Sequence, residues 1–198
     1  MTLVTRAIIF AAEAHDGDVR KGSQTPYIVH PMEAMSIASS LTEDPEVLAA
    51  AALHDVAEDC GITREELALR FGERVASLVM AESQIQAGDP CASWDDRKRR
   101  AVEQLEHASR DEKIIALADK LSNMRAISRD FEREGEKMFL KFHQTDKSRH
   151  AWYYRNCAEN LRDELGDTEA FRELVALVNQ VFKGVKSQPP EMEKRCAV

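Results

Sequence analysis

The sequence predicts an all-α protein. Apolar residues recur at helical spacing in segment after segment, N-cap residues stand in front of those segments, and no stretch alternates as a half-buried strand would. No internal repeat is found. At 198 residues, 43% hydrophobic and 31% charged, the chain is long enough for one well-buried core and too hydrophobic for wholesale disorder. Residues 1–185 are expected to form a single domain and 186–198, with Pro189-Pro190, a flexible tail.

Leu3, Ile8, Ala11 and Ala12 place an amphipathic helix over 3–14, ending near His15. The polar stretch 16–26 holds Gly17, Gly22 and Pro26 and reads as a loop, where binding groups are favoured because packing does not dictate the residue. Pro31 biases His30 away from helical angles and opens a helix reaching Leu41, which holds His30 at a helix mouth. Asp44 as N-cap and Pro45 in the first turn start a central helix that runs to Asp59 and closes at Gly61. Thr63, with Glu66 three residues on, caps a helix to Phe71, and Gly72 separates it from another over 73–83. Gly88, Asp89 and Pro90 make 84–93 irregular, and its length predicts a mobile lid at the pocket mouth. Ser93 caps a helix over 94–107 whose Arg97-Lys98-Arg99-Arg100 run reads as a solvated face. Ser109 caps a helix to Ile127 with a wide apolar stripe, 131–143 is partly helical, and amphipathic helices follow over 145–165 and 168–183.

The formal charge of −8 and the pI near 5.3 argue against a nucleic-acid partner, since phosphate backbones demand clustered Lys and Arg. No run approaches the ~18 apolar residues of a membrane span, and the N-terminus makes a poor signal peptide. Cys60, Cys91, Cys157 and Cys196 show no CxxC pairing, and such scattered thiols suit a reducing, cytoplasmic location.

One stretch of the central helix stands out. Ala51-Ala52-Leu53 is followed by His54-Asp55-Val56-Ala57-Glu58-Asp59, so on a helix His54 and Glu58, and Asp55 and Asp59, stand one turn apart. Four titratable groups at the end of an apolar helix cost free energy unless a cation or a reacting group compensates. A histidine beside an aspartate offers a neutral nitrogen and an anionic oxygen, which suits a divalent metal of intermediate hardness, and the two following carboxylates are placed to act on a water. Charged helix ends are more often simply solvated, so the case needs further ligands. Asp119 interrupts the apolar stripe of its own helix with Asn123 one turn further on. Lys120, adjacent on that helix, points elsewhere, so a metal or a remote cation is the preferred partner for Asp119.

The ordered set His30, His54-Asp55 and Asp119 resembles the ligand series of the HD-domain metal-dependent phosphohydrolases, and within them the alarmone hydrolases of the RelA/SpoT type. Matching stretches are Arg20-Lys21 with Thr25 to Pro31, Leu53 to Asp59, Arg64 to Gly72, Arg97 to Arg99 and Leu117 to Met124. The resemblance implies an HD-domain bundle of roughly eight to ten helices in which His30, His54, Asp55 and Asp119 bind one divalent ion. Mn²⁺ is the favoured ion, with other first-row divalent metals open. Two imidazoles and two carboxylates leave octahedral positions for water and a phosphate oxygen, whereas a closed zinc site favours thiolates or a third histidine.

By the same resemblance Glu58 and Asp59 position and deprotonate the attacking water, and Arg20 and Lys21 contact the guanine base and nearby phosphate or ribose. Asn123 hydrogen-bonds the nucleotide, and Tyr153 or Tyr154 walls the pocket. The implied reaction is hydrolysis of the 3′-diphosphate of guanosine tetra- or pentaphosphate, giving pyrophosphate and GDP or GTP. A nucleotidase or NADPH phosphatase of the same superfamily, or a non-catalytic nucleotide sensor, are the alternatives. The partner is then a small guanine nucleotide, with the oligomeric state open and a homodimer among the options. Cys60 departs from the threonine often found at its position in relatives. The chain also has no room for the synthetase and regulatory domains of multidomain relatives, which suggests a free-standing hydrolase.

Overall fold

The computed structural model describes residues 1–86 and 93–189, the side chains of 84–86 excepted. Residues 87–92, the centre of the expected lid, and 190–198, most of the expected tail, lie outside the described residues. Among those described there are ten α-helices and a 3-10 segment: α1 Leu3–Ala14, α2 Val29–Ala38, α3 Pro45–Leu53, α4 Val56–Cys60, α5 Arg64–Phe71, α6 Glu73–Gln86, α7 Trp94–Glu106, α8 Arg110–Glu134, the 3-10 turn Gly135–Lys141, α9 Lys147–Leu165 and α10 Glu169–Val181. An isolated bridge between Val19 and Pro26 is the extent of β structure among them. The fold is all-α, as the patterning predicts.

Local chemistry sets most of the boundaries. Asp44, Thr63, Ser93, Ser109 and Thr168 each accept a first-turn backbone N–H at the helix they precede. Each such cap stabilises its helix by about 1 kcal/mol. Ser109 and Glu112 complete a reciprocal capping box, whereas Thr63 binds Glu66 N alone. Gly61 closes α4 at φ 69°, a left-handed conformation that glycine reaches without strain.

Two site-bearing segments depart from expectation. The central helix is interrupted at His54-Asp55, which separates α3 from α4. His54 Nδ1 lies 2.9 Å from the Ala51 carbonyl, the acceptor that a continuous helix would present to the Asp55 N–H, so the buried imidazole competes with the helix ladder. Helix α2 begins at Val29, ahead of Pro31, so His30 lies inside its first turn. Val29 and His30 donate back to the carbonyls of Pro26 and Tyr27, and Pro31 then falls where no backbone donor is needed. Helices α6 and α8 also run past their expected ends, and Asp146 rather than Thr145 opens α9. Ser187 and Gln188 remain hydrogen-bonded to Arg155 and Ser148 of α9.

Helix α8 is the axis of the molecule, packed against α2, α3, α6, α9 and α10. Helix α3 is buried from Val47 to Leu53 except for Leu48, and its Ala49 to Ala52 run lets α1, α2 and α6 approach closely. The site therefore sits where three rigid elements, α2, the α3–α4 junction and α8, meet in the core.

Candidate active site

From α2 comes His30, from the α3–α4 junction His54 and Asp55, and from α8 Asp119, each 1–6% exposed. His30 Nε2 lies 3.2 Å from His54 Nε2 and 3.1 Å from Asp119 Oδ1. Asp55 Oδ2 is 3.0 Å from His54 Nε2 and 3.4 Å from His30 Nε2, while Asp119 Oδ1 is 3.6 Å from His54 Nε2. Ligands at ~2.1 Å from one ion are spaced about 3.0 Å apart in an octahedron and about 3.4 Å in a tetrahedron, so these separations fit a shared cation.

The neighbours of the cluster fix its tautomers. His54 Nδ1 faces a carbonyl and must donate to it. His30 Nδ1 is 2.8 Å from Ser122 Oγ, whose own proton goes to Glu33 Oε2, so that nitrogen also carries the hydrogen. Both Nε2 atoms are thereby turned to the centre, as in imidazoles oriented for a metal. With both imidazoles neutral, as metal ligation requires, the four groups would carry a formal charge of about −2, which a divalent ion balances.

Burial would raise both acids, yet the His54 and His30 imidazoles hold Asp55 well below the usual carboxylate range, and Lys120 with the same imidazoles does so for Asp119. Burial acts against a charged His54, but Asp55 and Asp119 outweigh it and lift the imidazole well above its ordinary value. Tyr27 donates to Asp55 Oδ2 at 2.8 Å, and burial together with the Asp55 and Asp59 charges pushes its phenol upward.

Lys120 overturns an expectation. Its Nζ lies 2.7 Å from Asp119 Oδ2 and 2.6 Å from Glu82 Oε1, all three side chains being almost wholly buried. Adjacent residues do diverge on a helix, but four methylenes let the ammonium curl back to its neighbour. Asp119 thus uses Oδ2 for Lys120 and turns Oδ1 to the two imidazoles and to Asn123 Nδ2, 2.6 Å away.

A cavity of about 440 Å³ opens beside this cluster, within the size range of small-molecule sites. Arg20 stands at its edge, donating to Asn123 Oδ1 at 2.8 Å with its guanidinium 5.4 Å from the Tyr27 ring. Arg20, Asn123 and Asp119 are therefore linked in one hydrogen-bonded line. Lys21 is exposed at the rim and makes no contact with the four-residue cluster. Gly22 beside it has φ 75°, a conformation that strains other residues, and a Cβ there would meet the Lys141 side chain at 2.8 Å, so the turn favours glycine. Tyr153 and Tyr154 both line the cavity from α9.

Glu58 faces an adjoining hollow of about 280 Å³ with Lys21, Arg97 and Lys98. Its carboxyl is partly open to solvent, yet burial raises it to about 7, against the pull of Lys98. Burial and the Asp55 charge raise Asp59 as well, with the nearby Tyr27 phenol and the His15 and His54 imidazoles acting against them. Lys98 corrects the reading of 97–100 as a solvated face: it is half-buried, 4.6 Å from the Tyr153 ring, and burial with the Lys120 charge lowers its ammonium. Tyr27, Ser122 and Glu82 also belong to the site, although the local sequence does not single them out. Ser122 lies three residues after Asp119 on α8, a spacing that places it near the same centre, whereas nothing local marks Glu82.

An all-helical core holding a His/His-Asp/Asp cluster defines a class, and the chain belongs to it: the HD domain family, whose model matches residues 7–145. Within that family it is 40% identical over 131 residues to the guanosine-3′,5′-bis(diphosphate) 3′-pyrophosphohydrolase MESH1 of Xenopus tropicalis, covering 64% of this chain and 70% of the relative. The guanosine-3′,5′-bis(diphosphate) 3′-pyrophosphohydrolase of Vibrio cholerae serotype O1 is 35% identical over 128 residues, 62% of this chain and 17% of that protein. A solved structure described as a metazoan ortholog of SpoT that hydrolyzes ppGpp superposes with a TM-score of 0.74 at 27% identity, covering 91% of this chain and 96% of the other.

Proposed function

We propose that the protein is a metal-dependent pyrophosphohydrolase that removes the 3′-diphosphate of guanosine tetra- or pentaphosphate, releasing pyrophosphate and GDP or GTP. The observation that carries this reading is the four-residue cluster lying beside a cation-rimmed cavity that His30 lines, with Arg20 and Asn123 linking that cavity to Asp119. His30, His54, Asp55 and Asp119 would hold one divalent ion, Mn²⁺ by preference, because nitrogen and oxygen donors without sulfur suit an ion of its hardness. When bound, such an ion supplies Lewis acidity toward a phosphoryl oxygen and lowers the pKa of a neighbouring water.

This chain's own groups do the rest. Water oxygen bonds to the phosphorus carried on O3′, the P–O3′ bond breaks, and O3′ leaves as the alcohol after taking a proton from solvent. Glu58, raised to about 7, takes the proton from the water, and Asp59, the next carboxylate along α4, orients it. Arg20 stacks on the guanine or meets a phosphate, Lys21 supplies a point charge at the rim, and Asn123 donates to the nucleotide or orients Arg20 toward it. Residues 1–185 form one such domain. The unpaired Cys60 and Cys157, together with the absence among the described residues of a helix long and apolar enough to cross a membrane, support action in the cytoplasm.

A substrate panel with Mn²⁺ tests the reading. Guanosine tetraphosphate should yield stoichiometric pyrophosphate with a kcat/KM well above that for NADPH or nucleoside 5′-monophosphates. Intact alarmone beside efficient release of inorganic phosphate from NADPH would overturn the substrate and keep the metal site.

A further inference from the structure

A second cluster of metal-type side chains lies beside the first. His15 follows α1, Asp18 sits in the loop beyond it, and Cys60 ends α4, with their ligand atoms all within 4.8 Å of one another. His15 Nδ1 is 3.3 Å from Cys60 Sγ and 3.5 Å from Asp18 Oδ2. A tetrahedral zinc-class ion with bonds of ~2.0–2.3 Å spaces its ligands about 3.3–3.7 Å apart, so the three groups need little movement to share one. The His15 side chain is fully buried and its ring packs on Tyr27 at 4.8 Å, which fixes the nitrogen in place. Asp18 is 56% exposed and Cys60 half-buried, which gives an ion a route in and leaves a fourth position for water.

We propose that His15, Asp18 and Cys60 form a second metal site that takes a thiophilic divalent cation of the zinc class. The four-residue centre offers no sulfur, so the two sites select different ions. Without an ion, burial and the neighbouring Asp59, Asp18 and Asp55 charges push the Cys60 thiol up to about 11, and its hydrogen bonds to the Ala14 carbonyl. Coordination forms the metal–sulfur bond and releases the Sγ proton to solvent. The ion clips the end of α1 and the following loop to the end of α4.

Cobalt(II) titration of the full chain, pre-saturated with Mn²⁺, tests this. The expected result is a thiolate-to-cobalt charge-transfer band in the near ultraviolet that saturates at one equivalent per chain and disappears with excess Zn²⁺. Cys60→Ser should lose the band while Cys157→Ser keeps it. A wild-type protein without the band, or a band that survives Cys60→Ser, overturns the site. Should Cys60→Ser fail to fold, alkylation of wild-type Cys60 followed by peptide mass spectrometry decides: Zn²⁺ should slow it by about tenfold or more, since a metal-held thiolate is a poor nucleophile. An unchanged rate overturns the site equally.

Discussion

The floor and the rim of the cleft are built on opposite terms. On the floor, His30, His54, Asp55 and Asp119 are buried, and each is held by a further bond, to Ser122, Ala51, Tyr27 and Lys120 respectively. At the rim, Lys21, Arg129 and Arg133 are exposed on long side chains. Arg20 and Lys141 are intermediate, tied to Asn123 and Asp130. Floor groups are fixed by packing before any ligand arrives, so a change there alters ion retention, turnover and stability together. Rim charges act through water, where each is worth little and salt screens it.

The sharpest way to break that contrast is Asp119→Asn. It removes an anionic donor from the floor, and kcat should fall at least about a thousandfold as the several kcal/mol contributed by a bound cation are forfeited. Metal analysis by mass spectrometry should show the ion lost; full metal content with normal turnover would contradict the assignment of Asp119.

Glu58→Gln comes next. A proton acceptor contributes about 10²–10⁴-fold, so kcat should drop by that much while bound metal and KM stay near wild type. Because burial raises Glu58 to about 7 and only the carboxylate accepts a proton, wild-type kcat/KM should climb with pH to a plateau. A bound cation pulls that carboxyl down, so the limb should fall between 4.5 and about 7 and vanish in Glu58→Gln. An unaltered limb in the variant would assign the proton to another group.

Lys120→Met probes the support beneath the floor. It strands Glu82 and Asp119 in the core, and breaking a buried ion pair from one side costs about 3–5 kcal/mol, readable in urea unfolding. A change under ~1 kcal/mol would mean that the pair is a weak support.

The smallest effect belongs to the rim. Lys21→Ala should lower kcat/KM by about tenfold through KM alone, and less at high salt, as expected of one screened phosphate contact. A fall in kcat at constant KM would move Lys21 from rim to floor.

Much of this was legible along the chain because it is written locally. Asp44, Thr63, Ser93, Ser109 and Thr168 cap the helices they precede, for a cap depends only on the next three residues. The order His30, His54-Asp55, Asp119 is visible for the same reason: it is a property of sequence. The break at His54 was not, because it arises from an imidazole reaching the Ala51 carbonyl inside a packed core. Lys98 reads as one cation in a charged run, and only the packing of α7 against α9 turns it toward Tyr153.

By itself, then, the sequence determined the helical class, most of the element boundaries and the residue types able to hold an ion. Tertiary structure alone decided that residues 30, 54, 55 and 119 share one centre, that Lys120 and Glu82 brace it, and that His15, Asp18 and Cys60 come within reach of one another. The reason is physical: capping and periodicity act over one helical turn, whereas convergence of distant side chains depends on how α8 lies across α2 and α3 and how the end of α1 meets α4.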